Sequence, residues 1–144
     1  MASSYKFETY FNDEFASFLG MKIEWNYTNK EIIERKGFGR ELNLYMAKTV
    51  AQYTEKYVPW GKPTKNHVDG RLTHSVRTYA TKDYGRVVWT APYAEVQWNG
   101  PDTWKRYKGV HPLSTSHWNE MAWTMHGNTI VNKVDAKRRE LSRP

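Results

Sequence analysis

Between residues 21 and 27 the chain reads MKIEWNY, in which Met21, Ile23, Trp25 and Tyr27 alternate with Lys22, Glu24 and Asn26. Side chains of a strand point alternately to opposite faces, so a period of two describes a strand with one face on a core. A sheet with one apolar face has to be covered by a second layer, which commits the rest of the chain to supplying that cover. Upstream, Tyr5, Phe7, Thr9 and Phe11 alternate in the same way. The Ser, Asn and Asp residues around them suit an extended, partner-seeking arm as well as they suit a strand.

The cover is legible downstream. After Thr28 and Asn29, either of which can cap a helix, the chain places Leu42, Met46, Thr49, Val50 and Tyr53 at steps of three and four. Gly37 and Gly39 flank Phe38 and delay the helix, and Pro59 bars its continuation, which predicts a helix over 40–57. The stretch PWGKPTKNHVDG has no period and reads as a loop. Residues 71–93 then read as a hairpin: Leu72, His74, Val76, Thr78 and Ala80 alternate, a turn falls between Lys82 and Gly85, and Val87 and Trp89 alternate again. Tyr93 to Trp98 suits a short helical turn. Ser116 suits the N-cap of a last helix over 116–134, with Trp118, Met121, Ala122, Met125, Thr129 and Val134 as its apolar stripe. The expected organisation is an arm over 1–20, one α+β domain over 21–134, and a polar basic tail over 135–144. In that domain a small antiparallel sheet packs against a long central helix and a C-terminal helix.

Charge and aromatic content bear on partners. The 22 Lys and Arg residues outnumber the 15 Asp and Glu, for a net charge of +7. Lys56, Lys62, Lys65, Arg71 and Arg77 form one basic cluster, and Lys105, Arg106 and Lys108 form another. Nucleic acid, an acidic protein surface and plain solvated loops all fit such clusters. Seven Trp and ten Tyr bring the aromatic share to 15%, a payload that suits protein interfaces as well as a core. With no cysteine there are no disulfides and no thiolate ligands, which favours an intracellular protein. No segment approaches the roughly 18 apolar residues of a membrane span, so no membrane partner is expected.

Catalytic and metal chemistry is poorly supplied. His111 and His117 are separated by Pro112 and share no helical face, so they do not form a helix-borne metal pair. His67, His74 and His126 are scattered, and His74 falls on the core-facing side of its expected strand. Ser75, Ser114 and Ser116 lack a glycine-framed elbow. A small nuclease using a histidine with Glu95 or Glu120 is the remaining enzymatic alternative, and a basic nucleic-acid-binding module is the other non-structural one. The expectation is a protein with no catalytic residue, no cofactor and no metal. In it, the stretch HPLSTSHWNEMAW is a joint that opens the last helix.

Four short motifs carry a resemblance. Tyr57-Val58-Pro59 is followed by Asp69-Gly70-Arg71-Leu72 with Ser75. Trp89-Thr90-Ala91-Pro92-Tyr93-Ala94 comes next, and His111-Pro112-Leu113-Ser114-Thr115 with Trp118 comes last. In this order they resemble the minor capsid proteins of tailed bacteriophages, within the wider group of head-to-tail connector and tail-completion proteins. The similarity covers about residues 21–134; the WGKPTKNHVD stretch is longer than the family's usual connection. The resemblance implies a non-catalytic virion protein, assembled in the host bacterial cytoplasm, that forms a homo-oligomeric ring in the neck between portal vertex and tail. Its expected partners are portal, adaptor or stopper proteins and tail proteins, with DNA passing through the channel. Surfaces expected to meet neighbours are Tyr5, Phe7, Trp60, Trp98, Trp104 and His111. Lys62, Lys65, Lys105, Arg106 and Lys108 are expected to face DNA or an acidic partner.

Overall fold

The computed structural model describes residues 4–12, 18–60, 70–91, 94–101 and 108–143. Strands β1 (Ser4–Asn12) and β2 (Phe18–Asn26) are followed by helices α1 (Lys30–Arg35) and α2 (Gly39–Thr54), the latter continued by a 3₁₀ turn over Glu55–Tyr57. Then come α3 (Arg71–His74), strands β3 (Val76–Ala80) and β4 (Tyr84–Trp89), α4 (Ala94–Asn99) and the 24-residue α5 (Trp118–Leu141). The strands form one sheet in the order β1-β2-β4-β3, with every neighbouring pair antiparallel. The fold is the α+β architecture expected: a four-stranded antiparallel sheet with the long central helix and the C-terminal helix packed against it.

The alternation in β2 does what its pattern requires. Leu19, Met21, Ile23 and Trp25 are all buried, as are Val87 and Trp89 of β4 on the same face. Fully burying an aliphatic or aromatic side chain of this size contributes about 1.5–3 kcal/mol, so this face anchors the domain. Helix α2 covers the β3–β4 side through Leu42, Met46, Ala47 and Val50. Gly85 lets it come close, because a Cβ there would lie 2.7 Å from the Asn43 carbonyl oxygen. Asn43 Nδ2 also donates to the Thr81 carbonyl at 3.0 Å, tying the helix to the hairpin turn. Helix α5 covers the β1–β2 side. Trp118 meets Trp89 edge-on at 5.8 Å, Asn119 donates to Thr9 at 2.8 Å, and Trp123 packs on Tyr5 and Phe7.

The break before α2 has a local cause. Gly37 has φ +78°, its N–H donates to the Glu34 carbonyl, and the Phe38 N–H donates to the Ile33 carbonyl. This is the Schellman arrangement that closes a helix with a left-handed glycine, and α2 starts immediately after it.

Several expectations are corrected. The strand expected from Leu72 begins only at Val76. Gly70, at φ +136°, starts a helical turn in which the His74 N–H bonds the Gly70 carbonyl, so Leu72 and Thr73 are buried side by side and His74 is exposed rather than core-facing. The turn between β3 and β4 falls at 81–83, where the Thr81 hydroxyl accepts from the N–H groups of Asp83 and Tyr84, and Gly85 lies within β4. The last helix opens at Trp118 behind His117, whose backbone is left-handed, not behind Ser116. Its buried stripe is Trp118, Ala122, Ile130, Val134 and Leu141, while Met121 and Met125 face outward. Residues 135–141 of the expected tail are the last turns of α5. There Arg138 bonds Asp135, Thr28 and Asn29 at 3.0–3.1 Å. Residues 4–12 of the expected arm are a full strand, paired with β2 along all nine positions. Among the described residues no helix is long and apolar enough to cross a membrane.

Candidate partner interface

In an antiparallel pair, alternate residues exchange both backbone hydrogen bonds with their partner, and the residues between them direct N–H and C=O away. The Thr81 N–H bonds the Tyr84 carbonyl at 2.9 Å and the Thr90 N–H bonds the Ser75 carbonyl at 3.2 Å, which fixes the phase of the β3–β4 ladder. With the register of Thr78 on Val87, the backbone groups of Val76, Thr78 and Ala80 point out of the sheet at the β3 edge. Carrying the phase across β4 and β2 turns those of Tyr5, Phe7, Thr9 and Phe11 outward at the β1 edge. Among the described residues neither edge has a strand partner. Beside the Val76 end of β3 lies an open groove of about 380 Å³ floored by Val58 and Trp89 and walled by Ala51 of α2. Thr73 also lines it, and its buried hydroxyl has no hydrogen-bond partner.

The residues expected at interfaces separate into two groups. Tyr5 (37% exposed) and the partly buried Phe7 do lie on the β1 edge, with their rings against Trp123. Trp98 is an internal residue: its indole N–H donates to Asn119 Oδ1 at 2.7 Å, and His117 stacks on its ring at 3.9 Å. The His111 Nδ1 lies 2.8 Å from the Val58 carbonyl, and its ring meets Trp60 edge-on at 5.1 Å. Trp60 is half-buried between His111 and His74, pressed over Gly70, where a Cβ would lie 2.6 Å from its ring. These three residues bind the chain to itself: the Trp98 N–H and the His111 ring nitrogen have partners inside it, and the Trp60 ring is packed between two histidines, although its own N–H is buried without a hydrogen-bond partner. Lys108 is exposed and donates to the Ser114 carbonyl. Trp104, Lys62, Lys65, Lys105 and Arg106 lie outside the described residues.

The stretch HPLSTSHWNEMAW is a joint in the geometric sense. His111 reaches the carbonyl of Val58, the Thr115 N–H donates to Tyr57, and the His117 N–H donates to Trp98, so the segment is pinned to the end of α2 and to α4 before α5 begins. Each of the four described histidines packs on an aromatic ring: His74 and His111 on Trp60, His117 on Trp98, and His126 on Tyr53 and Tyr57. Among the described residues no three His, Asp or Glu side chains converge to hold a metal. His126 lies 2.8 Å from the Tyr57 hydroxyl, and burial, aided by the nearby Lys56, holds its pKa below the ordinary histidine value.

The sheet face away from the helices carries Lys6, Glu8 and Tyr10 of β1, Lys22 and Glu24 of β2, Tyr84 and Arg86 of β4, and Arg77 and Tyr79 of β3. Tyr10 leans across Gly20, whose missing side chain leaves room for the ring, and its hydroxyl accepts from Arg86 Nε at 2.8 Å. The Arg86 guanidinium lies 5.6 Å from the ring centres of both Tyr10 and Tyr79, and the Lys22 ammonium lies 4.7 Å from that of Tyr84. Both distances fall within cation–π range.

Comparison of the chain with protein families, with characterised proteins and with solved structures finds no match.

Proposed function

We propose that the chain is a structural protein of a tailed-bacteriophage virion, a ring subunit of the neck between portal vertex and tail, and that it performs no catalysis. The observation that supports this reading most is that, among the described residues, neither edge of the sheet has a strand partner, the one side-chain contact given for the outward groups of β3 being Arg77 Nη1 on the Val76 carbonyl. Four strands in strict antiparallel alternation leave the edge strands β1 and β3 running in opposite directions. When β3 of one copy meets β1 of the next, the new pair is therefore antiparallel too, and the ladder continues with helices on one side and the helix-free face on the other. Such a contact joins unlike surfaces, and it closes into a ring when the rotation between copies divides a full turn. The groove beside Val76 gives the incoming edge a place for a side chain, as in other strand-addition interfaces. The ordered motifs from Tyr57 to Trp118 support the same reading by resemblance. In this reading the other partners are the portal, adaptor or stopper and tail proteins of the same virion, and assembly takes place in the host bacterial cytoplasm.

The test is particle assembly without the chain. Unjoined heads and tails should accumulate, and adding back the protein should restore joining. Complete particles in its absence, or its recovery only outside the virion, would overturn the reading.

A further inference from the structure

We infer that the face of the sheet on which no described helix packs, on its β3–β4 half, binds single-stranded nucleic acid. The inference goes beyond the ring reading and stands without it.

The face is electrically divided. On the β1–β2 half, Lys6 stands opposite Glu24, Glu8 opposite Lys22, and Lys22 pairs with Glu24 at 3.2 Å. Two cations and two anions cancel there. On the β3–β4 half the same face presents Arg77, Tyr79, Tyr84 and Arg86, with no carboxylate from either strand. The net positive charge of the face therefore sits where the tyrosines sit.

The arginines are positioned but not used up. Arg86 gives its Nε to the Tyr10 hydroxyl and lies between the Tyr10 and Tyr79 rings, and among the described residues no carboxylate pairs with its guanidinium. The Arg77 side chain folds back so that Nη1 donates to the carbonyls of His74 and Val76 at 2.9 and 2.8 Å, which holds the exposed guanidinium beside the start of β3. Tyr79, directly opposite Arg86 on the neighbouring strand, is 49% exposed, and a stable monomer gains nothing from leaving that ring in water.

Alternating guanidinium planes and tyrosine rings on an open sheet suit unpaired bases, which stack on aromatic faces and on arginine while their phosphates meet the cations. A duplex keeps its bases stacked on one another and has no use for Tyr79. An acidic peptide meets the charges but has no planar group for the rings. The patch ends at Val88, which is on the same face, beside Arg77 and Gly20, and is fully buried.

The experiment is fluorescence anisotropy of the full chain with a labelled oligothymidylate at low salt, repeated over a salt series. Tyr79→Ala should weaken binding by roughly five- to a hundredfold, the effect of removing one base-stacking ring. With two arginine–phosphate contacts, the logarithm of the affinity should fall against the logarithm of salt with a slope of about −1.4. Arg77→Gln should lower both the affinity and that slope. Arg139→Gln, an equal loss of charge on the exposed side of α5, should leave the affinity within about twofold. Thermal melts of each variant, read by circular dichroism, separate lost contacts from lost folding. The inference is overturned by no binding at low salt, by binding that Tyr79→Ala leaves unchanged, by equal affinity for a duplex of the same length, or by displacement with polyglutamate at matched charge.

Discussion

Gly20 pairs with Val88 and Gly85 with Ile23, three positions along the same strand pair, so the two glycines face opposite sides of the sheet and the same substitution tests two environments. At Gly85 the obstacle is backbone: the Asn43 carbonyl oxygen would be 2.7 Å from a new Cβ and the Ala47 methyl 3.3 Å away. Neither can rotate aside, so a valine there has to lift α2 off β4. Overpacking of this kind costs about 1–3 kcal/mol, and a rigid helix as obstacle puts Gly85→Val at the upper end, about 3 kcal/mol. A chain of 144 residues has an unfolding entropy of about 0.3 kcal/mol/K, so the midpoint of thermal unfolding should fall by about 10 °C. At Gly20 the nearest atoms all belong to the ring of Tyr10, at the far end of a side chain that can swing out. Gly20→Val should cost less than about 1 kcal/mol, about 3 °C, while releasing Arg86 from the Tyr10 hydroxyl. Thermal unfolding followed by circular dichroism measures both. If Gly20→Val is the more damaging change, or Gly85→Val leaves the midpoint unmoved, the close seating of α2 on the sheet is wrong.

Thr78→Pro removes an N–H that points out of the β3 edge and no ladder bond to β4. The monomer should stay folded while ring formation, scored by native mass spectrometry and electron microscopy of assembled particles, is lost; a ring that survives places the contact elsewhere. Asn119→Ala strands the buried Trp98 N–H and frees Thr9, and should cost about 1–3 kcal/mol in denaturant unfolding. His126 is held below its ordinary value of 6.5, so protons favour the unfolded chain. Its contribution to stability should be complete above pH 6.5 and decline as pH falls below that value. A His126→Gln variant should show a flatter pH profile over the same window.

The parts of the fold legible in sequence are those whose cause is local. The alternation from Met21 to Trp25 and the stripe from Leu42 to Val50 each report a face that is buried along a single element. Gly37 marked the break before α2 because a left-handed cap needs glycine at that spot. The C-terminal extension of α5 was not legible, because AKRRELSRP is polar in isolation. What orders Arg138 there is Thr28 and Asn29, more than a hundred residues earlier. The turn at Arg71 imitated a strand because Leu72, His74 and Val76 kept a period of two. The helix-free face was hidden for the same reason as α5. Tyr10 and Arg86 are 76 residues apart, and nothing in either segment records that they share one side of a sheet. Among the residues expected to meet partners, aromatic identity alone does not distinguish Trp98, whose N–H is spent inside, from Tyr5, whose ring reaches the surface.

The open edges also set a clock on the free subunit. Unpaired strand edges accept any extended chain, including a partly unfolded sister or a nascent polypeptide, since backbone groups carry no identity. If copies join by these edges as proposed, the groove beside Val76 is what tells a correct neighbour from a wrong one, and timing adds to it: correct neighbours have to arrive before wrong ones. Lys6 and Glu8, exposed beside the β1 edge, slow indiscriminate stacking without blocking a shaped partner. On the ring proposal concentration then matters, and a preparation held well above the level at which copies meet their intended neighbours should end in fibrous aggregate rather than in closed assemblies.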